Sequence, residues 1–401
     1  MKYLEFCGPI IRYYREQKSL DIGSICILTG IQKPQYVELE KGKKEVLLGT
    51  WKRICDVVGI DFVYLFKNED IYEDLYQNCL HALIYDDIDE QERLLCLVDE
   101  NEIKKSILFP KFILLRFMYD AINTDRIPEH LIACLEIFKE VYSLPEQCLF
   151  YDYLGYCYQK IKLYDKAREY YRKADALATL EHKELLYYHM GMLYYKLNQP
   201  LPALYNFRKA YGMFEKGWNI NRLLYTHGSI GICYIRMSEF DMAKIQLEET
   251  IRLAQQYKNS YVIVTTYDNL TFNSFKMRDY EGCIHYGLKA MEQNTCYSYL
   301  YFFLAYSYVK LGKEEEAWMW IDKSEDAFMD KAALELMQYA RMLLLHEENT
   351  DFLKSLYDYL AEEEFYELQK FILIELAEAL HALAQFESEA KCLRELLKLS
   401  K

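Results

Sequence analysis

The chain has 401 residues, of which 52% are hydrophobic and 27% charged, and a formal net charge of -14; that is enough for two or three cores, and too acidic overall to favour nucleic acid along its whole length. No run of about twenty uncharged apolar residues is present to span a bilayer, and Glu5, Arg12 and Arg15 interrupt any signal-peptide core, so a cytoplasmic protein without a membrane partner is expected. The 12 cysteines and 8 histidines are scattered, with no HExxH, CxxC, Walker or dinucleotide-binding pattern, so reduced structural thiols, no metal, no cofactor and no enzyme activity are expected.

Charge is unevenly spread. Residues 1–66 hold ten Lys or Arg against eight Asp or Glu, a net of +2, which leaves 38 minus 54, or -16, for the remainder. Apolar residues recur at helical spacing from Ile10 and Ile11 to Tyr14, and a second short run covers Ile22, Ile25, Cys26 and Leu28, with "KSLD" breaking the pattern between them. "TGI" (Thr29 to Ile31) then interrupts, Gly30 being free to take the positive φ of a tight turn. Pro34 suits the first turn of a third helix, which should run to about Glu40 and bury Tyr36 and Leu39.

Two short helices joined by a three-residue turn around a glycine form the helix-turn-helix pattern. With Arg15, Leu20, Ile25, Cys26, Gly30, Ile31, Leu39 and the "ExG" of Glu40 to Gly42, followed by the apolar runs "LGTWKRICDVVGI" and "DFVYLF", this segment resembles a lambda-repressor-like (XRE-type) DNA-binding domain. The resemblance implies that Gln32, Lys33 and Gln35 open a recognition helix and face base edges, while Lys41, Lys43 and Lys44 meet phosphates. It also implies a structural ion pair between Arg15 and Glu40. Glu38 and Pro34 depart from the usual residues of this segment. A net charge of only +2 predicts weak, salt-sensitive non-specific binding and a need for a homodimer.

Residues 67–147 read as a linker helix and divergent helical pairs, through runs such as "SILFPKFILLRFMYDAI" and "HLIACLEIFKEVY". From 148 to 401 the chain repeats. Tyr151, Leu154, Gly155, Tyr158, Ala167, Tyr171 and Ala174 have the tetratricopeptide spacing, and Tyr187, Met190, Gly191, Tyr194, Ala203, Phe207 and Ala210 repeat it. Three further copies centre on Gly231, Thr271 and Ala305, so the small-residue positions step by 36, 40, 40 and 34. The small residue lets the second helix of each pair approach the first, and stacked pairs bury faces that one pair cannot. An all-α chain is expected: a helix-turn-helix head, then a right-handed superhelix of tetratricopeptide-like hairpins closed by capping helices.

The first helix of each pair should line a concave groove. Helical placement turns Tyr188, Tyr195, Tyr225, Phe272 and Tyr306 inward, with Arg236, Asn269 and Asn273 as polar contacts for a bound peptide; Asp152, Tyr156, Gln159, Asp268, Tyr299 and Phe302 point the same way. Asn269 and Asn273 share one face at helical spacing, and an asparagine offers a peptide backbone both a donor and an acceptor. In architecture the chain resembles the peptide-pheromone-responsive regulators of the RRNPP group, which implies a cytoplasmic transcriptional regulator whose repeats bind a short signalling peptide. The alternative is an interaction scaffold that sequesters a partner protein without specific DNA binding.

Overall fold

The computed structural model describes residues 2–399 apart from 178, 294–296, 328, 348 and 364, and among them every regular element is a helix. The head holds α1 (Cys7–Gln17), α2 (Ile22–Thr29), α3 (Lys33–Glu40), α4 (Leu48–Val58) and the short α5 (Phe62–Leu65). Asp21 caps α2 by accepting from Ser24 N, and Gly30 ends it at φ 72°, so the expected turn falls where the glycine permits it. Phe6, Ile10, Ile11, Ile25, Tyr36, Leu39, Trp51, Ile54 and Leu65 are buried together, the amphipathic pattern of five short helices closing one small core.

Next come α6 (Glu69–Tyr85), α7 (Ile88–Leu95), α8 (Glu100–Lys104), α9 (Phe109–Asn123) and α10 (Glu129–Phe138). The remaining helices form seven hairpins: α11 (Leu144–Lys160) with α12 (Tyr164–Asp175), α13 (Lys183–Lys196) with α14 (Pro200–Lys216), α15 (Ile220–Arg236) with α16 (Phe240–Gln256), α17 (Ser260–Lys276) with α18 (Tyr280–Glu292), α19 (Tyr299–Lys310) with α20 (Glu314–Glu325), α21 (Lys331–Leu344) with α22 (Thr350–Glu362), and α23 (Tyr366–Ala382) with α24 (Phe386–Leu399). The chain divides into two compact units, Met1–Leu193 with Tyr205–Leu223 and Tyr194–Leu204 with Leu224–Lys401.

Sterics explain why the small residues repeat. A Cβ added at Gly155 would lie 2.6 Å from the Tyr171 ring, one at Gly191 2.6 Å from the Phe207 ring, and one at Gly231 2.6 Å from Leu247. Each glycine thus admits a bulky residue sixteen positions later, on the second helix of its own hairpin. The fourth copy differs: position 271 is a buried threonine, and the buried Gly287 sixteen residues on is approached by Leu304 of α19, 2.8 Å from where its Cβ would lie. Seven residues after each small position the backbone turns left-handed, at Lys162, Asn198, Ser238, Arg278 and Gly312. The repeat is therefore set by one close approach and one turn.

In the first unit the head is joined to the helices that follow it. Tyr14 Oη donates to Lys104 O at 2.7 Å, Ile107 N donates to Leu65 O at 2.8 Å, and Tyr64 pairs with Glu102. Tyr13 packs against the rings of Phe109 and Phe138. In the second unit, aromatic residues of α17, α19, α21 and α23 interlock: Phe275, Phe302, Tyr306, Tyr339 and Phe371 are all buried, and Tyr339 Oη donates to the buried Glu375 carboxylate at 2.7 Å.

Candidate functional site

The head presents its third helix on a fixed base. Arg15 forms a two-pronged bond to Glu40, Nε to Oε1 at 2.6 Å and Nη2 to Oε2 at 3.0 Å, with both side chains nearly buried, so α1 and the end of α3 are tied as the resemblance implied. That hydrogen bond holds the Arg15 guanidinium above its ordinary pKa, although its burial opposes this. The Tyr36 hydroxyl beneath is pushed up by burial and by Glu40.

On this base, Gln32 and Lys33 are exposed at the N-terminal turn of α3 and Gln35 is half-buried. The three presumed phosphate contacts differ among themselves. Lys44 is exposed, but Lys41 Nζ bonds Glu38 at 2.9 Å and Lys43 Nζ bonds Glu140 at 2.7 Å. Glu38, which departs from the usual pattern, is thus the partner of a lysine. The Glu140 contact raises the Lys43 ammonium and holds the Glu140 carboxylate below its ordinary value. Sequence could not foresee Glu140, because it lies almost a hundred residues away, between α10 and α11.

The groove candidates fall into interior and accessible sets. Asn273 and Tyr306 are buried; Asn273 Nδ2 donates to Phe240 O at 3.2 Å, which fixes α17 to α16, and Tyr306 sits in the aromatic core. Both are therefore buried against neighbouring helices rather than exposed as expected, and the Asn273 Oδ1 accepts no hydrogen bond from a described residue. Asp152, Gln159, Tyr299 and Phe302 are buried too: Asp152 accepts from His189 Nδ1 at 3.0 Å and Gln159 Oε1 accepts from Tyr171 at 2.8 Å.

The accessible candidates are half-buried, as peptide contacts should be. In the first unit Tyr188 leans on Phe207 and Phe214, and Tyr156 stacks on His189 with 4.7 Å between centroids. In the second unit Arg236 lies 4.4 Å over the Tyr195 ring, and its Nη1 donates to Asn198 Oδ1 at 2.9 Å. Asn198 was missed; it belongs to a turn, and its left-handed φ of 54° brings the side chain to the arginine. Tyr225 meets Tyr261 edge-on at 5.9 Å, and Tyr261 is exposed. Phe272 packs on Phe303 at 5.6 Å. The half-buried Asn269 amide has no hydrogen-bond partner among the described residues.

Among the described residues no cluster of three or more His, Cys, Asp or Glu side chains could hold a metal, and no helix is long and apolar enough to cross a membrane. The described cysteines are all free, most of them buried; Cys296 lies outside the described residues.

The tetratricopeptide repeat family matches residues 151–179, which take in the second half of α11 and all of α12. The transcriptional activator NprA of Geobacillus stearothermophilus is 24% identical over 280 residues, a match that takes in 66% of this chain and 65% of that protein's length. A Rap protein complexed with competence and sporulation factor superposes with a TM-score of 0.63 at 20% identity, covering 82% of this chain and 98% of that one. The apo quorum sensor NprR of B. thuringiensis gives 0.61 at 20% identity, covering 83% and 99%. NprR in complex with its cognate peptide NprX gives 0.56 at 21%, covering 82% and 98%. The architecture is that of the RRNPP-type regulators. The fold shared with these structures, a stack of helical hairpins, is the setting of the repeated close approaches at Gly155, Gly191 and Gly231 and of the left-handed turns.

Proposed function

We propose that this chain is a DNA-binding transcriptional regulator whose repeats bind a short signalling peptide. The observation that carries the DNA half is the exposed turn of Gln32 and Lys33 at the start of α3, held on a base fixed by the Arg15–Glu40 pair. Glutamine can read adenine and lysine guanine, while Lys44 remains available for a phosphate. The peptide half rests on the RRNPP-type array, on the peptide complex of NprR, and on half-buried aromatic and amide groups of the first helices: Tyr188 in the first unit, Tyr195, Tyr225, Arg236, Asn269 and Phe272 in the second. The peptide must bind one conformation of the array better than another, since a ligand with equal affinity for both switches nothing. A homodimer supplies two recognition helices for two half-sites about one helical turn apart.

The test is binding of the purified protein to its own upstream DNA at low and moderate salt, wild type against a Lys33→Ala, Gln35→Ala double variant. Saturable binding that the double variant loses supports a sequence-reading head. Equal affinity for random duplex, with and without candidate peptides, overturns it in favour of a scaffold that sequesters a protein partner. The pairing of Lys41 and Lys43 with carboxylates is the observation that favours that second reading.

A further inference from the structure

A cavity of about 580 Å³ opens in the first unit among α6, α7, α8, α9 and α10, a region to which neither the head nor the repeat groove gives a role. Its volume is that of a small-molecule site. Leu83, Ile103, Phe109, Phe112 and Leu131 form its buried apolar walls, while the exposed lining residues are polar: Glu100, Lys104, Arg116 and His130. A polar ligand group would find no partner against the walls, so it must stay with the polar set.

Those polar groups have donors to spare. Arg116 serves both nearby carboxylates, Asp120 at 3.0 Å and Glu100 at 3.3 Å. Lys104 Nζ and the His130 ring have no hydrogen-bond or ion-pair partner among the described residues. A ligand acceptor placed beside Lys104 and His130 is matched.

The same short helix that walls the cavity also holds the head. Glu100, Ile103 and Lys104 of α8 line the cavity, while the Lys104 carbonyl accepts from Tyr14, Glu102 pairs with Tyr64, and Ile107 just beyond donates to Leu65 O. Phe109 does both, lining the cavity and packing 5.0 Å from the Tyr13 ring. With only five residues and an Asp99 cap, α8 has little of its own to hold it in place.

We propose that this cavity binds a small amphiphile, one apolar chain ending in a carboxylate next to Lys104 and His130, and that its occupancy is relayed through α8 to the head. This goes beyond the peptide and DNA reading and does not depend on it.

The test uses the full chain with dodecanoate as probe, and dodecanol and dodecylamine as its uncharged and cationic counterparts, followed by calorimetry and by amide hydrogen exchange. Dodecanoate should bind one per chain, about tenfold tighter than dodecanol, as expected for one charge-assisted hydrogen bond. Lys104→Gln, a change at an exposed side chain that leaves the carbonyl bonded to Tyr14 in place, should erase that difference. Ile113→Trp, which fills the cavity, should abolish binding of both. The Ile107 amide should exchange more slowly with dodecanoate bound. Failure of all three probes to saturate the protein overturns the site, as does undiminished binding to Ile113→Trp with an unchanged thermal midpoint. Equal or tighter dodecanol or dodecylamine binding overturns the carboxylate, and tight binding with unaltered exchange at Ile107 overturns the relay. None of these readouts uses DNA or peptide, so they stand or fall apart from the regulator proposal.

Discussion

At the scale of single residues, close approach and burial give two predictions of opposite sense. Gly191→Ala would put a Cβ 2.6 Å from the Phe207 ring, while Gly212→Ala on α14 would meet nothing within 4 Å. The first should lower stability by about 1–3 kcal/mol through overpacking, and the second should raise it by about 1 kcal/mol through helix propensity alone; thermal melting of the two variants beside the parent checks both signs. His227 shows the cost of burying a titratable group. Gln246 Nε2 lies 2.8 Å from its Nε2 and Thr250 Oγ1 2.7 Å from its Nδ1, while the Thr250 hydroxyl is spent on Gln246 O. That network assigns a neutral ring with the proton on Nδ1, and burial lowers the pKa of His227, as it does that of His182. Because the unfolded chain takes these protons near the ordinary 6.5 and the folded chain resists them, their stabilising contribution is complete above that pH and is lost as pH falls below it. The thermal midpoint should therefore drop between about pH 6.5 and 5, less so in a His182→Gln, His227→Gln variant, with midpoints measured across that window as the check.

At the scale of elements, the hairpin turn is the unit that recurs. Lys162, Asn198, Ser238 and Arg278 hold the left-handed conformation without being glycine, whereas the fifth copy uses Gly312 at φ 69°. A non-glycine residue there costs about 1 kcal/mol or more, partly offset by the greater freedom glycine has when unfolded. Ser238→Gly should accordingly raise the melting temperature slightly, and Gly312→Ala should lower it by more; a Ser238→Gly that melts lower would show that the turn is held by something other than backbone preference. These turns also show what was legible. The helices, Gly30 and the small-to-large spacing could be read directly, because each is a local pattern with a steric cause. Asn273 and Tyr306 are buried for a physical reason: helical periodicity gives the face of a residue on its own helix, but not that Asn273 on α17 meets α16 of the preceding hairpin or that Tyr306 on α19 meets α23. Asn198 was invisible because its role comes from a turn geometry that brings it to Arg236, 38 residues away. The large cavity gave no sequence signal either, since its walls are the ordinary apolar residues of five helices.

For the molecule as a whole, the proposed DNA binding would have to be met by a chain of net charge -14 whose head carries a net charge of +2. The surplus is small, and the fold reduces it further by giving Lys43 to Glu140, a residue outside the head. Each lysine that neutralises a phosphate steepens the fall of log K with log salt by about 0.9, so a lysine committed to a carboxylate contributes less to both affinity and slope. Glu140→Gln removes one negative charge beside α3 and releases Lys43 without touching Gln32, Lys33 or Gln35. If Lys43 is a phosphate contact, the variant should bind the upstream DNA more tightly at low salt, with a salt slope steeper by about 1 and an unchanged preference for that DNA over random duplex. A tighter complex with an unaltered slope would assign the gain to loss of the glutamate's repulsion alone. An unchanged affinity would mean that Lys43 never leaves Glu140, and with Lys41 held by Glu38 the phosphate contacts proposed for the head would then rest on Lys44.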